Sequence, residues 1–237
     1  MILSSERKAI HARSNKSFAI QAIIYEIILL IFFGIFVKVN PDVTEGFNEA
    51  TYPLYQDANV MMLIGLGFLM SFIKDYTWSP LTYTFLINCF AFQFYILWEG
   101  FWMKVFRGEW EEPIYIDEVT LKRMSGCVAA CLISFEALLG KVEANSIMIL
   151  INVGVFFYSL NAVLCYEVLG LYDSGGSITV HTFGAYYGLT MALLISWKIN
   201  PTKEIKMSKT SGVLGLLGAL FLWVFWPATG DIPFNQF

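Results

Sequence analysis

The chain has 237 residues, 57% of them hydrophobic and only 14% charged, with a mean hydropathy of +0.61 and a net charge of −4. A soluble domain carries about 25% charged residues, so this much apolar surface needs a solvent other than water. The acidic balance argues against nucleic-acid binding, and no nucleophile–base pair, phosphate loop or metal-ligand cluster points to an enzyme, a cofactor or a metal.

The apolar residues fall in long blocks with short polar breaks, the pattern of spanning helices. Seven spans are predicted: Phe18–Val37, Asp57–Ile73, Leu81–Met103, Val119–Leu139, Ser146–Leu169, Ser177–Trp197 and Gly212–Trp226. The expected fold class is an all-α polytopic membrane protein. Before the first span, Arg7, Lys8, Arg13 and Lys16 make the N-terminus basic. The apolar block that follows reaches Val37 without a small-residue cleavage site, which argues against a cleaved signal. Glu6 and the shortness of the segment argue against a mitochondrial presequence.

Basic residues set the orientation. With the N-terminus inside, Arg7, Lys8, Arg13, Lys16, Lys74, Lys141, Lys198, Lys203, Lys206 and Lys209 lie on the inner side. Lys38, Lys104, Arg107, Lys122 and Arg123 lie on the outer side. Ten against five supports N-inside, C-outside. Tryptophans at predicted helix ends, such as Trp78, Trp102, Trp110, Trp197, Trp223 and Trp226, form an interfacial belt. The four cysteines, Cys89, Cys127, Cys131 and Cys165, all lie in apolar stretches and read as small core residues.

Two features inside the spans bear on packing and function. Gly184 with Gly188, and Gly212, Gly215 and Gly218 in a row, have the spacing that lets helix backbones approach in lipid. Glu26, Glu99, Glu136 and Glu167 are intramembrane carboxylates, each either functional or satisfied by a neighbouring helix. Glu99 and Glu167 lie near enough to span ends to snorkel.

The most informative segment runs from Asp173 to Gly188 and reads DSGGSITVHTFGAYYG. Gly175 and Gly176 make a tight non-helical turn, Ser177 is the expected N-cap, and His181 then lies one turn inside a span. Asp173 stands before the helix N-terminus, where the dipole and free amides favour a carboxylate.

This segment resembles the ammonium transporter/Rhesus glycoprotein family, whose signature here reads Asp-x-Gly-Gly, four residues, His-Thr-Phe-Gly-Ala-Tyr, and it is most similar to the Rhesus branch. Tyr52–Asp57 with Val60–Met70 resembles the approach to the first pore helix, Leu138–Val142 the loop before the fourth, and Leu220–Pro227 the sixth. The resemblance covers residues 18–228.

It implies a trimer of channels conducting ammonia or ammonium, with Asp173 at the outer recruitment site and His181 as the first of two facing pore histidines. It also implies two inverted five-helix repeats enclosing the pore, of which residues 57–198 match the first. Residues 1–56 then hold the tail, an extra first helix and an outer loop. Residues 199–237 hold an inner loop, a seventh helix and an outer tail.

The second pore histidine belongs to the family's tenth helix, beyond the matched region. Of the two stacked phenylalanines that gate the family's pore, the aligned positions hold Gly126 and Thr229, and Glu136 replaces a family glycine. One reading follows: a non-conducting structural subunit of a larger membrane complex, with the mitochondrial inner membrane one setting and the plasma membrane another. The alternative is an ammonia/ammonium channel, either a fragment of a longer chain or completed by a partner or second copy. Membrane lipid and other membrane subunits, or further copies of the chain, are the expected partners.

Overall fold

The computed structural model describes residues 2–39, 52–73, 78–196 and 208–230. Expectations placed on Lys74, Trp197, Lys198, Lys203 and Lys206 lie outside the described residues.

Helix α1 (Ile2–Phe36) carries the basic N-terminus and the first predicted span in one piece and leads into strand β1 (Val37–Val39). Helix α2 (Tyr52–Val60) runs on through a π-helical stretch (Met61–Leu66), an α turn (Gly67–Leu69) and a 3-10 turn (Met70–Phe72). Helix α3 (Ser79–Arg107) has Pro80 in its first turn, where a missing N–H costs nothing, and stops at Gly108, whose φ of 76° is left-handed. After strand β2 (Ile114–Ile116) comes α4 (Glu118–Leu138), capped by Asp117, whose carboxylate accepts from the Thr120 amide at 2.7 Å. Helix α5 (Ala144–Val163) continues into a π turn (Leu164–Val168). Another π stretch (Ser177–Thr182) opens α6 (Phe183–Ser196). Helix α7 (Lys209–Phe225) begins at a Ser208–Ser211 capping box, and α8 (Pro227–Gly230) follows it.

The helices match the seven predicted spans, and the chain is an all-α polytopic membrane protein. Among the described residues, four stretches are long and apolar enough to cross a membrane: Lys16–Phe36, Ser79–Arg107, Ala144–Val168 and Ser177–Ile195; α7 is apolar but shorter. Helix α4 has the length, but it carries Lys122 and Arg123 inside the bundle. Lys122 is 6% exposed and the Arg123 side chain 11%. These two were counted as outer-side cations; without them the outer total falls from five to three, and the asymmetry grows.

Contacts along each pair of helices fix their directions. Strands β1 and β2 pair in parallel, Val37 with Ile114, so α1 and α3 finish at the same end. Trp98 meets Asn152, Trp102 meets the Phe156 carbonyl and Arg107 meets Glu167, so α3 and α5 are parallel. Helices α4 and α6 are parallel too, with Gly184 against Ala130 and Gly188 against Ser134. Helix α7 runs antiparallel to the helix begun by α2, pairing Leu222 with Gly65 and Gly215 with Phe72. These directions are those of a chain crossing alternately from side to side.

Packing, rather than the hydrophobic effect, joins helices in lipid, and the glycines show where backbones meet. A Cβ at Gly188 would stand 2.8 Å from Ser134 Cα and carbonyl oxygen, and one at Gly218 2.6 Å from the Gly65 carbonyl oxygen. Gly212 departs from its expected packing role, because nothing lies within 4 Å of its Cβ position. Cys89 also departs from expectation. It is exposed on α3, whereas Cys127 and Cys165 are buried.

The glutamates are mostly satisfied by neighbouring helices. Glu99 does not snorkel: it is 5% exposed, lies 3.1 Å from Arg123 Nε and accepts from Tyr95 OH at 2.9 Å. Glu167 is held by Arg107 through Nε at 3.2 Å and a second nitrogen at 2.7 Å. Gln93 reaches Glu26 at 3.5 Å. Glu136 is exposed.

Candidate functional site

The segment between α5 and α6 is held by one carboxylate. Gly175 and Gly176 both have positive φ, 68° and 69°, a reversal that L side chains resist. The turn folds Asp173 back under the helix it precedes. One carboxylate oxygen accepts from the Thr179 amide and hydroxyl, each at 2.8 Å, and both oxygens lie within 3.1 Å of the Ile178 amide. Asp173 is 3% exposed. The expected cap at Ser177 is therefore replaced: Gly176 holds the backbone cap position and Asp173 supplies the acceptors. Thr179 Oγ1 gives its proton to Asp173, so Tyr166 OH, 2.6 Å away, donates to Thr179. That chain of bonds ties the π turn ending α5 to the π stretch opening α6.

The π stretch also sets where His181 points. Its amide bonds to the Gly176 carbonyl five residues back at 2.9 Å, and this wider turn delays every side chain that follows. On a regular helix, His181, Gly184 and Gly188 would share a face. In the structure Gly184 and Gly188 are buried against α4 while His181 is exposed, so the three do not share a face.

His181 stands at the rim of a cavity of about 190 Å³. The walls come from four elements: Ala58, Met61 and Leu66 of the helix begun by α2, Gly126 and Ile133 of α4, Val180, and Leu222 with Trp226 at the end of α7. Apart from His181 and Ser125 the lining is apolar or glycine. The Trp226 ring lies 6.0 Å from the imidazole, tilted by 37°. Gly126 is thus brought together with His181. Asp173 is not: it lies buried behind the helix start. Thr229 falls in α8, with its side chain outside the described residues. Among the described residues no group of three or more His, Cys, Asp or Glu side chains is placed to hold a metal.

Three residues of the site were not legible in the sequence. Trp226 reads as part of an interfacial belt, yet it faces the histidine. Tyr166 and Thr179, 13 residues apart, carry no signature until the turn at Asp173 brings them together.

An interrupted helix thus presents a histidine beside an apolar cavity in a bundle of apolar helices, the architecture of a polytopic membrane protein. The description "Ammonium Transporter Family" matches residues 22–230, and the chain belongs to that family. It is 34% identical over 224 residues to Ammonium transporter Rh type B of Danio rerio, covering 87% of this chain and 47% of the relative. It is 34% identical over 235 residues to Ammonium transporter Rh type C of Bos taurus, covering 92% and 50%. The solved structure described as "Nitrosomonas europaea Rh50 and mechanism of conduction by Rhesus protein family of channels" superposes with a TM-score of 0.68 at 30% identity, covering 80% of this chain and 52% of that one. The chain spans about half the length of the curated relatives it matches.

Proposed function

We propose that this chain is a structural subunit of a larger membrane complex, built on the first repeat of the ammonium transporter fold over residues 57–198, and that alone it conducts neither ammonia nor ammonium. The setting of His181 carries this reading. The imidazole lies on an exposed flank, continued by Tyr186 at 71% exposure and Leu189 at 63%, and by Trp223 at 77% on α7. A conducting path needs walls on all sides and a lining that replaces lost hydration; the described residues furnish one wall and one histidine. Gly126 places no ring over that wall. The exposed flank supports a covering partner, either another membrane subunit or further copies in the manner of a trimer. The membrane that holds it is the mitochondrial inner membrane or the plasma membrane.

A second reading, a channel whose opposite wall comes from a partner or a longer polypeptide, is favoured by the cavity that leads to His181. Reconstitution in liposomes separates the two. The protein alone should give no methylammonium flux above empty vesicles, and His181→Ala should change nothing. Flux that vanishes with His181→Ala would replace the structural reading by the channel one.

A further inference from the structure

A cleft of about 660 Å³ lies away from His181, between α1 and α3. Only 6% of the Lys16–Phe36 span is buried, so α1 is a peripheral helix. It is fastened at three levels. At its inner end Gln21 and Ser17 bond to Asn145. Midway Tyr25 packs edge-on against Phe94 at 5.8 Å. At its outer end β1 pairs with β2. The cleft occupies the space between the second and third fastenings.

Its walls are stripes at helical spacing. Tyr25, Leu29, Phe32 and Phe36 line it from α1. Phe94, Trp98 and Phe101 line it from α3. From Phe94 to Lys104 is ten residues, or ~15 Å of helix rise, and half of a ~30 Å hydrocarbon core is the same length. The Tyr25–Phe94 contact closes the groove at that depth. At the opposite end, where α1 and α3 both reach the outer interface, Lys38, Lys104, Glu111 and Glu112 line the mouth. Lys104 Nζ donates to the backbone carbonyls of Glu109 and Glu112, which leaves one of its three N–H groups. The Lys38 side chain makes no hydrogen bond or ion pair among the described residues and is exposed. The mouth therefore pairs two cations with two anions above an apolar slot one leaflet deep.

We propose that this groove is a binding site for one zwitterionic glycerophospholipid of the outer leaflet. An acyl chain lies along the aromatic stripes, the phosphodiester sits on Lys38 and the free proton of Lys104, and the headgroup amine faces Glu111 and Glu112. A purely anionic lipid would satisfy the lysines but bring its charge against the two carboxylates. The site is independent of conduction and of the wall at His181.

Native mass spectrometry of the delipidated, detergent-solubilised protein, titrated with phosphatidylethanolamine and phosphatidylglycerol, tests this. One phosphatidylethanolamine should bind ahead of phosphatidylglycerol. Lys38→Gln should weaken it about fivefold, the scale of one lysine at a lipid surface, while Lys209→Gln leaves it unchanged. Ile28→Trp projects from the exposed side of α1 into the groove and should abolish the adduct with the melting temperature preserved. Tighter binding of phosphatidylglycerol, or phosphatidylethanolamine binding indifferent to both Lys38→Gln and Ile28→Trp, would overturn the proposal.

Discussion

Arg123 and Glu99 meet 3.1 Å apart inside the helix bundle, and Tyr95 OH donates to the same carboxylate oxygen at 2.9 Å. Two opposite charges on different helices neutralise each other where either alone would be costly. Removing one partner leaves an uncompensated buried charge, a loss of about 3–5 kcal/mol. Arg123→Met and Glu99→Leu should each lower the unfolding free energy in detergent by that amount. The double variant should recover most of the loss. Losses that simply add would show that the pair is not coupled.

The glycines of α7 and its neighbour make a graded series. A Cβ at Gly212 meets nothing within 4 Å, at Gly215 it meets Phe72 Cβ at 3.3 Å, and at Gly218 it would lie 2.6 Å from the Gly65 carbonyl oxygen. Gly212→Ala should be neutral or slightly stabilising, because alanine favours helix by about 1 kcal/mol over glycine. Gly215→Ala should be near neutral, and Gly218→Ala should separate α7 from its partner at a cost of roughly 1–3 kcal/mol or more. Melting temperatures that fail to fall in that order would refute the packing described for α7.

How much of this was legible in the sequence depends on the range of the interaction. The spans follow from runs of apolar residues, a local property, and, with α6 counted from its π stretch at Ser177, six of the seven helices start within five residues of the predicted spans, the exception being α1, which begins at Ile2. The Asp-x-Gly-Gly turn was legible because glycine's freedom at positive φ is local too. The pairing of Glu99 with Arg123 joins positions on different helices, and no spacing announces it. The face of His181 cannot be had by counting a regular helical period, because the π stretch resets the phase. Gly212 shares its spacing with Gly215 and Gly218 but has open space at its Cβ position, since spacing records a face and not its partner.

Asp173 separates two roles that the sequence leaves joined. A recruiting carboxylate needs charge and access, whereas a helix cap needs acceptors. Asp173 is 3% exposed and receives bonds from the Ile178 and Thr179 amides and the Thr179 hydroxyl. Asp173→Ala would strand those donors at a cost of about 3 kcal/mol, the scale of a hydrogen bond to a charged group. Asp173→Asn keeps one acceptor oxygen and should retain well over half of that stability. Thermal unfolding of both variants checks the contrast; equal losses would mean that charge, not capping, is what the site requires.

Gly126 offers a test of the cavity itself. It lies on the wall of a space of about 190 Å³ whose other sides are Met61, Leu66, Ile133, Leu222 and Trp226. An apolar cavity of ~150 Å³ accepts a benzene ring, so a phenyl group grown from Gly126 has room to enter. Filling apolar space restores contacts that the lining atoms lack, which offsets the strain of a larger side chain in α4. Gly126→Phe should therefore fold, with a stability within about 1.5 kcal/mol of the parent, the range of a well-accommodated core substitution. Gly184→Phe, on the same pair of helices but with the Ala130 carbonyl oxygen 2.9 Å from its Cβ position, should fail to assemble. The added ring would approach His181 and Trp226, so the tryptophan emission of Gly126→Phe should shift to shorter wavelength as water leaves the cavity. A Gly126→Phe protein that aggregates as Gly184→Phe does would show that no such space stands beside His181.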